Sequence, residues 1–149
     1  MISTRRATAA DCEQIARVHA ASIRTLFRTH YSHEQLEPWA ASITPARYAP
    51  FIDATDFFVA IDDEAIAGFT QMMDGEVHTL YIDPGYARRG IGTMLVRELE
   101  RAARERGLAK MTLSASLNAA PFYEAMGFAA RGESAWNGLK VVVMEKLLP

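Results

Sequence analysis

Arg88-Arg89-Gly90-Ile91-Gly92-Thr93 sets two cations and two glycines immediately ahead of a run with helical periodicity. Glycine lets a backbone approach a ligand closely, and the unpaired N–H groups at a helix start attract phosphate oxygens. The arginines add positive charge at the same mouth, so the segment reads as an anion-binding turn. It is not a dinucleotide fingerprint, because Leu95 stands where the third glycine belongs. It also lacks the Gly-Lys-Ser/Thr of a P-loop. Upstream, Glu76 and His78 are alternate residues, which share a face if their segment is a strand. Downstream, Phe122-Tyr123 place an aromatic pair shortly before Gly127-Phe128, a position that ordinarily belongs to a core. The histidines His19, His30, His33 and His78 have no metal-ligand spacing, so no metal is expected. Cys12 is the sole cysteine, which excludes an internal disulfide.

The elements that must hold these residues follow from periodicity and punctuation. Residues 2–7 read as a strand. Thr8-Ala9-Ala10-Asp11 has the form of a capping box with Asp in place of the usual Glu or Gln, and Ile15, Val18, Ser22, Ile23 and Leu26 then trace a helical stripe. Ser32-His33-Glu34-Gln35 opens a second, short helix through Leu36 and Trp39, which Pro38 is expected to kink or split. Thr44-Pro45 starts another helical turn, limited by Pro50. Strands are predicted over Asp56–Ile61, Ala65–Met73 and Glu76–Ile82, with Asp74-Gly75 as a hairpin turn and Asp83-Pro84-Gly85 as the stop. Gly90 to Arg106 is an amphipathic helix ended by Gly107. A strand at Met111–Ala115, a helix at Ala119–Met126, and strands at Phe128–Arg131 and Leu139–Lys146 around Asn137-Gly138 complete the chain.

Two blocks in this order resemble the GNAT superfamily of acetyl-CoA-dependent N-acetyltransferases, and the resemblance covers nearly the whole chain. Val77 through Gly92 looks like the family's fourth strand and pyrophosphate loop, and Asn118 through Phe128 looks like its motif after the fifth strand. One departure is Ala87, which stands where the family usually has Gln or Arg. Arg88 and Arg89 supply charge beside it. The resemblance implies an α+β fold: a mixed, mostly antiparallel sheet of about seven strands with flanking helices, splayed between strands 4 and 5. The pantetheine arm of acetyl-CoA would lie in that splay along Leu80, Tyr81 and Ile82. Arg88, Arg89, Gly90, Ile91, Gly92 and Thr93 would hold the pyrophosphate, and Asn118 and Phe122 match coenzyme-lining positions.

The same resemblance implies acetyl transfer to a primary amine within one ternary complex. Glu76 matches the carboxylate base of the family's histone-acetylating branch, with His78 or a water chain as the other routes for the proton. Tyr123 matches the general acid that serves the departing thiolate, since a phenol can donate while staying neutral near pH 7. Tyr31, Trp39 and His78 are the expected acceptor-site residues. A non-enzymatic acyl-CoA sensor or regulatory subunit is the competing class, and Glu76 with Tyr123 argues against it. Similar proteins are commonly homodimers, and the sequence leaves that open.

Composition narrows the partners. The chain has 149 residues, 50% of them hydrophobic and 23% charged, which fits one globular domain. A formal charge of −2 argues against nucleic acid as the main partner. No apolar run approaches the ~20 residues that span a bilayer, and the first residues contain no leader-like apolar core, so a cytoplasmic protein is expected. Glu34, Glu37, Asp53, Asp56, Asp62, Asp63, Glu64, Asp74 and Glu76 face only Arg47 among Lys and Arg in their stretch. That imbalance favours a cationic acceptor.

Overall fold

The computed structural model describes Met1–Pro149. Seven strands, β1 (Ile2–Arg6), β2 (Asp56–Asp62), β3 (Ala65–Met73), β4 (Glu76–Ile82), β5 (Lys110–Ser116), β6 (Ala129–Trp136) and β7 (Leu139–Leu147), form one sheet. Five helices accompany it: α1 (Cys12–Leu26), α2 (His33–Ala41), α3 (Ala49–Ile52), α4 (Ile91–Glu105) and α5 (Ala120–Ala125). The strand order is β1-β2-β3-β4-β5-β7-β6, antiparallel except between β4 and β5. This is the mixed, mostly antiparallel seven-stranded sheet expected from the sequence. At the β3–β4 turn, Asp74 and Gly75 both take positive φ, 52° and 82°, the conformation that matches the twist of a two-residue hairpin.

Alternation along β2 explains how the sheet is covered on both faces. Phe58 and Ala60 join the core under α4 with Leu95, Leu99 and Met111, whereas Phe57 and Val59 join the core under α1 with Ile15 and Val18. A third cluster packs Leu36, Trp39 and Ala40 of α2 against Ile23, Phe27, Tyr31 and Leu139. That packing accounts for the uninterrupted α2. Pro38 was expected to kink or split the segment; it removes one backbone hydrogen bond, but burial of a Leu or Trp side chain contributes about 1.5–3 kcal/mol, enough to hold His33–Ala41 as one unsplit helix. Pro50 likewise does not limit a helical turn. A turn closes at Arg47 and a new one, α3, starts at Ala49 with Pro50 in its first two positions, where a missing N–H costs little.

β6 runs to Trp136, five residues beyond the expected Arg131. Every residue of this edge strand is exposed, so no apolar alternation marks it in the sequence. At the opposite side, Asp56 anchors β2 to both β1 and the end of α4. Its buried carboxylate accepts from Arg106 Nε at 2.7 Å and Nη2 at 2.9 Å, and from Arg6 Nη2 at 3.1 Å. These bonds hold Asp56 below the usual carboxylate range.

The feature that makes room for a site lies between β4 and β5. Only Glu76↔Thr112 and Val77↔Leu113 pair, although β4 remains paired to β3 through Ile82. On the β3 side, Gln71 faces Thr79 and Met72 faces Val77, so His78 is an extra, bulged residue. Beyond that bulge the two parallel strands part.

Candidate active site

The splay opens into a cleft of about 810 Å³, lined mainly by hydrophobic residues. At one mouth, Pro84–Tyr86 forms a short turn whose N–H at Gly85 is capped by Asp83 Oδ1 at 2.8 Å. Arg88 and Gly90 then adopt left-handed backbone, with φ of 63° and 78°, and deliver the chain into α4. Gly92 sits in the first turn of α4, and a Cβ there would stand 3.1 Å from the Phe122 ring of α5. Helix α4 is therefore brought close to α5 by the absence of a side chain. Arg88, Gly90, Ile91, Gly92 and Thr93 line the cleft together with Leu80, Tyr81 and Ile82 of β4 and with Asn118 and Phe122. Arg89 does not. Its guanidinium lies over the Tyr86 ring, 5.1 Å from the centroid.

These residues fit a coenzyme with an anionic end and an amide-bearing arm. A long helix offers free N–H groups at the mouth, and the unpaired edge of β4 offers backbone donors and acceptors along the cleft. Asn118 Oδ1 and Thr79 Oγ1 are buried without a hydrogen-bond partner in the protein.

Midway along the cleft, Glu76 and His78 flank the start of the splay. Their shared face is as expected, and Glu76 Oε1 lies 3.6 Å from His78 Nε2. The side chains are 61% and 38% exposed, so both reach solvent. Tyr123 reaches the cleft from α5, its ring packed edge-to-face against Phe122 at 5.2 Å and Phe128 at 5.6 Å. Burial raises its phenol well above the ordinary tyrosine range, which keeps the proton in place at neutral pH. Its hydroxyl makes no hydrogen bond within the protein, and the residue lines the cleft.

The far end of the cleft is an aromatic chamber. Its centre is His19 of α1, whose ring lies 4.1 Å from Tyr81 and 5.5 Å from Phe69, with Trp39 edge-on at 6.3 Å. His19 Nδ1 is 2.7 Å from Tyr48 Oη, and its Nε2 has no partner. Burial, reinforced by the nearby positive charge of Arg47, pushes the imidazole pKa down to about 3, so it is neutral at pH 7. Trp39 lines this chamber and stacks edge-on against Trp136 at 4.9 Å. Tyr31 also lines it, but its hydroxyl is committed to the scaffold. It donates to the Lys140 carbonyl and accepts from the Leu117 N–H, both at 2.8 Å, tying the end of α1 to β7 and to the turn after β5.

Sequence reasoning missed His19, Arg47, Tyr48 and Gln71 as cleft residues. His19 had one available signal: with Ile15, Val18, Ser22 and Ile23 it completes an apolar helical stripe in which an imidazole is out of place. Gln71 is similarly a polar residue in an otherwise buried strand. Of the nine acids between Ser32 and Glu76, only Glu76 lines the cleft. The others are dispersed, Glu37 to Arg24 and Asp62 to the Tyr86 hydroxyl among them.

Two parallel strands thus part beside a glycine-opened helix, and Tyr123 and Glu76 both line the gap between them. A family model for the acetyltransferase (GNAT) domain matches residues 27–148, and the chain belongs to that family of N-acetyltransferases. Among similar proteins, the uncharacterized N-acetyltransferase YafP of Escherichia coli is 29% identical over 118 residues, covering 79% of this chain and 75% of its own. A GCN5-related N-acetyltransferase from Rhodopseudomonas palustris superposes with a TM-score of 0.92 at 32% identity, over 98% of this chain and 95% of that one. The PaiA N-acetyltransferase of Thermoplasma acidophilum, solved with coenzyme A, gives 0.84 at 22% identity over 99% of both chains. No helix is long and apolar enough to cross a membrane.

Proposed function

We propose that this single-domain protein moves an acetyl group from acetyl-CoA to a primary amine while both are bound together. The observation that carries the reading is the continuity of the cleft, which joins the glycine turn, the open β4 edge, Glu76 and Tyr123 in one space. Acetyl-CoA would supply an activated thioester carbonyl. The start of α4 and Arg88 bind its pyrophosphate, with Arg89 adding charge from the adjoining turn. The backbone of Leu80, Tyr81 and Ile82 pairs with the pantetheine arm as an added strand would, and one N–H of this stretch polarises the acetyl carbonyl. Asn118 and Phe122 border the same arm.

The chemistry that remains is proton handling. An alkyl amine has a pKa near ~10 and is unreactive while protonated. Glu76, directly or through His78 or solvent, takes that proton, and its exposure gives the proton a route out. The amine nitrogen then bonds to the carbonyl carbon as the carbon–sulfur bond breaks, Tyr123 gives its proton to the departing sulfur, and the second proton, shed by the new amide nitrogen, returns through solvent to the phenol. Cys12 lies outside the cleft, so direct transfer is favoured over an acyl-enzyme.

Thermal unfolding with acetyl-CoA, CoA, NADH and ATP tests the coenzyme, and thiol release with an amine panel tests the transfer. A ligand at a hundred times its dissociation constant stabilises a fold by about 2.7 kcal/mol, a shift of roughly 5–10 °C. A shift confined to the CoA ligands is expected. A larger shift with NADH or ATP would overturn the reading of the glycine turn.

A further inference from the structure

We infer that the aromatic end of the cleft seats an anionic group, so that the acceptor is an amine that also carries a carboxylate or phosphate, held by Arg47 with the N–H groups of Trp39 and Gln71. This rests on the acetyl-transfer reading above and narrows its acceptor. Arg47, Glu76 and Arg88 are the Asp, Glu, Lys and Arg residues that line the cleft. Arg88 belongs to the coenzyme mouth and Glu76 to the start of the splay. Arg47 is therefore the full charge at the aromatic end, and its field reaches His19, Tyr48 and Tyr81. It has no carboxylate within salt-bridge distance, unlike Arg5, Arg6, Arg24 and Arg106.

The second observation is independent of that charge. Trp39 and Gln71 are each more than nine-tenths buried, and the indole Nε1 and amide Nε2 have no partner in the protein. The indole N–H only donates, and the Gln71 amide turns its N–H toward the same space, so a group that brings acceptor oxygens completes both. A neutral His19 adds a third unpartnered nitrogen in the same chamber, and Tyr48 fixes its ring through Nδ1. No carboxylate lines this end, so an ammonium group would rely on the aromatic faces alone and would sit beside the Arg47 charge. The rings of Phe27, Phe57 and Tyr81 suit the body of a small molecule lying between its anionic group and an amine near Glu76.

Matched acceptors test the inference. Thiol release is measured for ω-amino acids such as 6-aminohexanoate against their amides, glucosamine 6-phosphate against glucosamine, and spermidine as the cation. Hydrogen bonds to a charged group are worth about 10–150-fold, so the anionic twin should exceed its neutral twin by at least ~tenfold in kcat/KM. The pair showing the larger gap distinguishes carboxylate from phosphate. Arg47→Gln should raise KM for the anionic twin ~10–100-fold and close most of the gap. Arg97→Gln, which removes an exposed charge outside the cleft, should preserve it. Trp39→Phe should narrow the gap by a smaller factor. Preference for spermidine or the neutral twins, or a gap that survives Arg47→Gln, overturns the inference and leaves acetyl transfer standing. Coenzyme binding without acetylation of any class overturns transfer to small amines, and this inference with it.

Discussion

Removing one oxygen from Tyr123 separates catalysis from stability. The ring packs between Phe122 and Phe128, and Tyr123→Phe preserves both contacts. The hydroxyl has no protein partner, so its loss strands no donor or acceptor. The expected stability change is therefore within ~0.5 kcal/mol, or roughly 1–2 °C in Tm. A positioned general acid contributes about 10²–10⁴ in rate, so kcat should fall by that factor, or ~2.7–5.5 kcal/mol of barrier. Since the phenol acts on the leaving sulfur rather than on coenzyme binding, kcat and kcat/KM for acetyl-CoA should fall together. Steady-state thiol release with a saturating amine, paired with thermal unfolding, reads both quantities. The raised phenol pKa adds a further expectation: wild-type kcat shows no loss from tyrosine ionisation up to about pH 10. A variant within ~threefold of wild-type kcat at unchanged Tm would refute the acid role. A Tm fall of many degrees would refute the view that the hydroxyl is free.

Glu76→Gln should lower kcat/KM ~10²–10⁴-fold near neutral pH, with activity recovering about tenfold per pH unit as the amine approaches its own pKa; an unchanged pH profile would remove Glu76 as base. Asp56 is held below its ordinary pKa, so its contribution to stability is fully present above about pH 4 and is lost as pH falls through the depressed value. Asp56→Asn should cost about 1–2 kcal/mol at pH 7, allowing for solvent screening at the half-exposed guanidiniums, and urea titrations should show the difference from wild type shrinking below pH 4. Gln71→Leu should leave the free protein as stable as wild type or up to ~1–2 kcal/mol more so while reducing turnover, and a lowered Tm would show that the amide is already satisfied.

The parts of this architecture that were legible from the sequence are those where local chemistry and tertiary packing agree. Asp74-Gly75 could form little but a tight hairpin turn, and the amphipathic helix expected from Gly90 forms as α4 with Ile91, Leu95, Leu99 and Ala102 buried. At Pro38, where α2 does not split, at Pro50 and along β6, tertiary context decides the outcome. A buried Trp39 outweighs one lost hydrogen bond, and an edge strand needs only a single partner, β7, not an apolar face. At the site, the loop and the phenol carry motifs, whereas the aromatic chamber does not. His19 comes from α1, Tyr48 from the turn before α3, Gln71 from β3 and Tyr81 from β4. Residues so far apart in the chain meet only because the sheet lays β3 and β4 side by side beneath α1. No spacing rule connects them.

Where the protein leaves polar groups unpaired is the last piece of the argument. His19 Nε2, Trp39 Nε1, Gln71 Nε2, Thr79 Oγ1 and Asn118 Oδ1 are its buried, unpartnered side-chain atoms, and all five residues line the one cleft. A buried polar atom left without a partner costs about 1–3 kcal/mol, so each of the five calls for a water or ligand partner from the cleft. Gln71 and Thr79 face each other across β3 and β4, Asn118 lies in the turn before α5, and His19 and Trp39 meet in the aromatic chamber. The bulge at His78 adjoins Thr79, where the β4–β5 pairing stops. The irregularity in β4 thus coincides with the end of the pairing, leaves the strand edge open beyond Val77, and sets Glu76 at the start of the splay.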